Sequence, residues 1–98
     1  MKAYPVAVVA ADPLAGFAPL TVEFDGSDSW DTLGLHVTKY TWNFNDGSPV
    51  IEGSDLVRVK HVFHNPGIYP VYLTVYNKFG HSKTAQQQIK VSAVPISR

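Results

Sequence analysis

This sequence predicts an all-β fold, a two-sheet sandwich of about seven strands, on three observations. Apolar residues recur at a period of two along several segments, no segment sustains a helical period, and Gly, Pro, Asn and Asp cluster at short intervals between them. Alternation assigns the inward sets: Leu20, Val22 and Phe24; Tyr40, Trp42 and Phe44; Tyr69, Val71, Leu73 and Val75; Ile89 and Val91. One sheet cannot bury all of these, so a second must face it.

The elements follow in order. A first strand is expected over Tyr4–Val9 and a second over Leu20–Asp25, with a further short one within Asp28–Val37. Lys39–Asn45 carries three alternating aromatics and runs into Asn45-Asp46-Gly47, residues that tolerate positive φ. Leu56–Phe63 precedes Asn65-Pro66-Gly67, which presets a turn. Ile68–Asn77 has the strongest strand pattern, yet Pro70 lies inside it and cannot donate a ladder hydrogen bond. A bulge, an edge or a strand start is therefore expected there. Asn77-Lys78-Phe79-Gly80 closes a hairpin onto Thr84–Val91. The head before Tyr4 and the tail 94–98 lack strand or turn logic. One domain is expected over 1–93 with a linker over 94–98, both ends reading as cuts from a longer chain.

A chain of 98 residues supports one core. Its formal net charge of zero removes the electrostatic footprint of a protein that holds phosphates or an anionic membrane, so no nucleic-acid partner is expected. The longest apolar run, Val6 to Ala11, is far short of a span, so no membrane insertion by this segment is expected. Absence of cysteine excludes a disulfide-stapled scaffold and is neutral on compartment.

Candidate sites compete with structural readings. In "YTWNFNDGSP", Asn43, Asn45 and Asp46 beside Trp42 suggest a sugar cleft. Trp42 shares its face with Tyr40 and Phe44, however, and Asp46-Gly47 is what a tight turn demands, so the stretch reads as structure. No nucleophile elbow, no cysteine and no recognisable acid pair is present, so no catalytic residue is expected and the domain is not an enzyme. His61 and His64, three apart on a strand, point to opposite faces and cannot share zinc. His61 reads as a satisfied, partly buried histidine holding a neighbouring loop, His64 as a turn residue, and His36 and His81 as loop residues. In "FDGSDSWDTLG", Asp25, Asp28 and Asp31 recur with serines between them, and calcium takes six to eight oxygens from such groups. The spacing is not that of an EF-hand, and a solvated turn whose Asp and Ser side chains cap backbone N–H groups is the favoured alternative. Trp30 in that loop, with Tyr72 and Tyr76 on the outward face of their strand, could stack on sugar rings; folding back over the sandwich edge and cross-strand packing are the competing fates.

The runs "APLTVEFDGSDS", "YTWNFNDGSP", "HVFHNPGIYPVYLTVYNKFG" and "QQIKV" together resemble the PKD (polycystic-kidney-disease) domain family, from about Tyr4 to Val91. Asn43 and Asn45 stand where the family pattern has Asp and Gly, Phe63 where it has Tyr, and Pro70 interrupts a strand. The resemblance implies an immunoglobulin-like sandwich with no catalytic centre. Such domains look like spacers or binding modules within extracellular or cell-surface proteins, among them chitinases, cellulases, proteases, collagenases, surface-layer proteins and receptors. The expected partners are neighbouring domains of the same chain, with polysaccharide or an extracellular protein as further ones, and the domain is expected to be monomeric. No cofactor is expected except calcium, which some members bind near this loop.

Overall fold

The strand pattern is realised across residues 4–95, the part of the chain that the computed structural model describes. Ten strands form within them: β1 (Pro5–Val6), β2 (Ala10–Asp12), β3 (Ala15–Phe17), β4 (Leu20–Asp25), β5 (Trp30–Asp31), β6 (Lys39–Asn43), β7 (Ile51–Gly53), β8 (Arg58–Phe63), β9 (Gly67–Tyr76) and β10 (Ser82–Ser92). The order β3-β10-β9-β6-β7 makes one sheet, β2-β4-β8 a second, and β1-β5 a small ribbon. Every pairing is antiparallel except that of β3 with β10. The residues before Tyr4, and 96–98 of the expected linker, lie outside the described residues.

The inward sets meet in one core. Val22, Phe24 and Phe63 from the smaller sheet face Tyr40, Trp42, Phe44, Val71, Leu73, Val75, Ile89 and Val91 from the larger, with Leu20 and Tyr69 packed at its margin. Full burial of each Val, Leu, Ile or Phe contributes about 1.5–3 kcal/mol relative to exposure. Trp42 is fully buried, and its Nε1–H donates to Leu56 O at 2.7 Å, so the indole adds no unsatisfied donor. Gly26 makes room for this packing: a Cβ there would stand 2.8 Å from Leu73 Cδ2.

The differences from expectation have local causes. Of the expected Tyr4–Val9 strand only Pro5–Val6 forms, and β2 begins beyond it at Ala10; between them Ser29 Oγ accepts from Val8 N at 2.9 Å and donates to Val8 O at 3.2 Å, which takes residue 8 out of any ladder. Strands β2, β3 and β7 have three residues each, too few to show a period. Of the three ways to tolerate Pro70, the fold uses an edge: β6 pairs with β9 only as far as Asn43↔Tyr72, so Pro70 lies beyond the end of β6. Its carbonyl turns to that side, where Asn45 Nδ2 donates to it at 3.3 Å. Asn45 itself adopts φ 60°, a left-handed conformation that Asn tolerates best among residues with a Cβ. Tyr69 adds a corner, its hydroxyl donating to Asn65 O at 2.6 Å across the β8–β9 turn.

Asp46, just after β6, reaches across to β8. Its Oδ2 lies 2.6 Å from His61 Nε2 and its Oδ1 accepts from Ser48 N at 3.1 Å. The His61 ring stacks on Phe44 at 3.9 Å between centroids and meets the Phe63 ring nearly edge-on. Burial alone would raise the Asp46 pKa, but hydrogen bonds from His61 and Ser48 outweigh it and hold the carboxyl below its ordinary 3.8. An ionised carboxylate only accepts, so Nε2–H of His61 is the donor. A carboxyl depressed in the folded state favours folding fully above its unfolded pKa and loses that contribution as pH falls through the folded value. Asp46→Asn is therefore expected to lower Tm at pH 7. The gap to the parent should narrow on acidification below 3.8, where the unfolded parent takes up a proton that the native state resists. A gap independent of pH in melts from pH 7 to pH 2 would contradict this.

Candidate functional site

The polar loop between β4 and β6 and the β9–β10 turn converge at one pole. Asp31, in β5, is buried, and its Oδ2 accepts from Asn77 Nδ2 at 3.0 Å while its Oδ1 accepts from Leu33 N at 2.9 Å. Asn77 Oδ1 in turn accepts from Phe79 N at 3.0 Å and His81 N at 3.2 Å. Burial pushes the Asp31 pKa up, yet the bonds from Asn77 and the backbone N–H groups of Leu33 and Leu35 bring it below the ordinary value. Two buried side chains thus fix two turns to each other. Tyr4 ties the incoming chain to the same knot: Tyr4 N donates to Thr32 Oγ1, Thr32 N donates to Tyr4 O, and the Tyr4 ring stacks on His81 at 5.5 Å. Asn77 escaped sequence reasoning as a buried residue. Its position at the start of an Asn-x-x-Gly turn was the available signal.

The three carboxylates considered for calcium take different roles. Asp25 accepts from Ser27 N at 2.7 Å and pairs with Arg58 Nε at 3.2 Å; hydrogen bonds from Ser27, aided by Arg58, hold its pKa below the ordinary range. Asp28 is exposed, and Asp31 is engaged with Asn77. Among the described residues no three His, Asp or Glu side chains gather as a metal-ligating group.

The three aromatics considered for sugar stacking divide between two surfaces. Trp30 is 53% exposed on the β1–β5 ribbon, above a shallow cavity lined by Leu35, His36, Val37 and Tyr40. Tyr72 and Tyr76 lie on the outer face of the five-stranded sheet, with Thr74 between them and Gln86, Thr84 and Ser82 opposite on β10. The Lys39 ammonium sits 4.3 Å from the Tyr76 ring centroid and covers that ring, so Tyr72 is the tyrosine on this face without a cation over it among the described residues. Of the histidines, His61 holds the Asp46 loop and His64 is exposed at the turn after β8.

A family model described as PKD domain matches residues 2–92. No curated protein matches the sequence. Among solved structures, one from a study of the promiscuous specificity of carbohydrate-binding modules of the β-sandwich superfamily aligns with a TM-score of 0.79 and 30% identity over 92% of this chain; this chain spans 35% of that one. The PKD1 domain of Vibrio anguillarum Epp aligns at 0.73 and 22% identity, covering 93% of this chain and 96% of that one. The PKD1 domain of the Vibrio cholerae metalloprotease PrtV aligns at 0.72 and 28% identity, covering 92% and 99%.

The separate engagements of Asp25 and Asp31 give an expected outcome for calcium. Melts in millimolar calcium and in chelator should coincide, because calcium would have to compete with the Arg58 and Asn77 contacts. A higher Tm in calcium would contradict this and reveal a site on the folded state.

Proposed function

The chain belongs to the PKD domain family, and on that premise we propose that it serves as a non-catalytic spacer in a multidomain extracellular or cell-surface protein. The observation that carries the reading is that the first and last segments of the described sandwich are tied at opposite poles. Tyr4 is bonded at the pole that holds the β9–β10 turn, whereas β10 runs eleven residues to Ser92 at the opposite pole, where Ala18 N donates to Ser92 O at 2.9 Å. An eleven-residue strand spans roughly 35 Å. Domains joined beyond these two points would sit in line and apart. The Asp31–Asn77 knot at one pole and the β3–β10 pairing at the other keep the attachment points fixed to the sandwich.

A second reading, contact with polysaccharide, is favoured by the exposed Trp30 indole and by Tyr72. Either ring alone offers little area, and association must first offset several kcal/mol of lost rigid-body freedom, so such contact is weak without a neighbouring module.

The absence of cysteine makes the spacer reading directly measurable, since two introduced cysteines are unique label sites. Spin labels on Lys78→Cys and Val94→Cys, one at each pole, are expected to give one narrow distance distribution centred at roughly 35–40 Å. A broad distribution like that of a flexible linker would overturn the reading.

A further inference from the structure

Strand β10 is fully paired on one side only. Its β9 side is antiparallel from Ser82 to Val91, while its other side meets, among the described residues, β3 over Lys90–Ser92 alone. Three bonds fix which backbone groups face that other side. Lys90 N donates to Leu14 O, and Ser92 O accepts from Ala18 N, both on the β3 side. Across the ladder, Pro70 stands opposite Gln88 and turns its carbonyl away from β10 toward Asn45. In an antiparallel ladder the N–H and C=O of one residue share a side, and alternate residues share it too. Thr84, Gln86 and Gln88 therefore aim their backbone groups out of the sheet edge, and all three are exposed. The ribbon does not close this gap. β1 pairs with β5 and stands off the start of β10 across a groove lined by Tyr4, Pro5, Val6, Ala7, Lys83 and Thr84.

We propose that the edge from Thr84 to Gln88 is a β-addition site for an extended, acidic-ended segment of a partner polypeptide. Donors and acceptors at strand spacing are complemented along their length by another backbone in extended form, which gives affinity with little dependence on sequence. The slot is bounded by β3 at one end and β1 at the other, so a single strand of about five paired residues fits. The folded edge of a second copy would run into both. Charge selects the ends of the segment. The two charged residues of β10 are Lys83 and Lys90, one at each end of the slot and roughly 24 Å apart along the strand. Neither is in an ion pair among the described residues, and Lys83 rests its ammonium 5.3 Å from the Tyr4 ring centroid. Between them the edge carries only neutral Thr, Ala, Gln and Ile side chains. The present occupant of one acceptor is slight: Gln87 Nε2 donates to Gln88 O at 3.2 Å and can swing aside.

The test uses an eight-residue peptide of alternating valine and threonine between terminal glutamates, and a copy with every amide N-methylated. In the free domain the amides of Thr84, Gln86 and Gln88 are expected to exchange fast and those of Ala85, Gln87 and Ile89 slowly. The peptide should slow exchange at the first three, and the methylated copy should bind at least about tenfold more weakly. Lys83→Glu with Lys90→Glu should weaken binding of the peptide by a similar factor. Gln86→Pro should keep the parent Tm, since the lost N–H serves the open edge, and should abolish binding. The proposal is overturned by protection of Thr84, Gln86 and Gln88 in the free domain, by no binding of the peptide, by equal binding of the methylated copy, or by concentration-dependent dimerisation through the same amides.

Discussion

The contact between Asp46 and His61 joins the two sheets at the point where the core aromatics meet. Asp46 lies in the turn that follows β6 of the larger sheet, and His61 belongs to β8, in the smaller. The 2.6 Å bond between them lies on the Phe44 ring, which also meets Phe24, and Phe24 meets Trp42. A chain of this size without disulfides has little stability to spare. A charge-assisted hydrogen bond in a largely buried setting is among the stronger links available to it. It also fixes how the "NDG" turn leaves β6, which places Asn45 to cap the Pro70 carbonyl and ends β6 before the proline. Pro70 is thus accommodated in an otherwise regular strand beside the same turn.

Much of this was legible in the sequence, and the reasons can be named. Alternation located all four inward sets because each lies on a strand long enough to show a period of two. The turns were legible from Asn, Asp and Gly, and Gly47 and Gly80 indeed take positive φ. His61 was legible as a histidine holding a loop, though its partner Asp46 was not, because the pair is fifteen residues apart and joins a turn to a strand of the other sheet. The parallel pairing of β3 with β10 was hidden for a similar reason: it joins Ala15 to Lys90, and neither residue announces it. Asp31 illustrates the limit for sites. Acidic residues at regular spacing carry the same composition whether they face an ion or, as Asp31 does, a buried amide.

The same features divide the molecule into fixed and open parts. The poles are tied by buried or backbone hydrogen bonds, which suits a module that transmits position between neighbours. The long flank of β10, by contrast, has no strand partner between β1 and β3 among the described residues; Val8 is held by Ser29, and β2 pairs with β4 in the other sheet. β10 thereby keeps a long stretch of unpaired edge among the described residues, where natural sandwiches usually cover or charge such an edge.

The claim that the two sheets depend on the Asp46–His61 link is tested most directly by a double-mutant cycle on the equilibrium stability of the parent, Asp46→Ala, His61→Ala and the double variant. A favourable coupling of about 1.5–3 kcal/mol is expected, as for a hydrogen bond to a charged group in a buried setting. A coupling below about 0.5 kcal/mol, the range of exposed pairs, would contradict it.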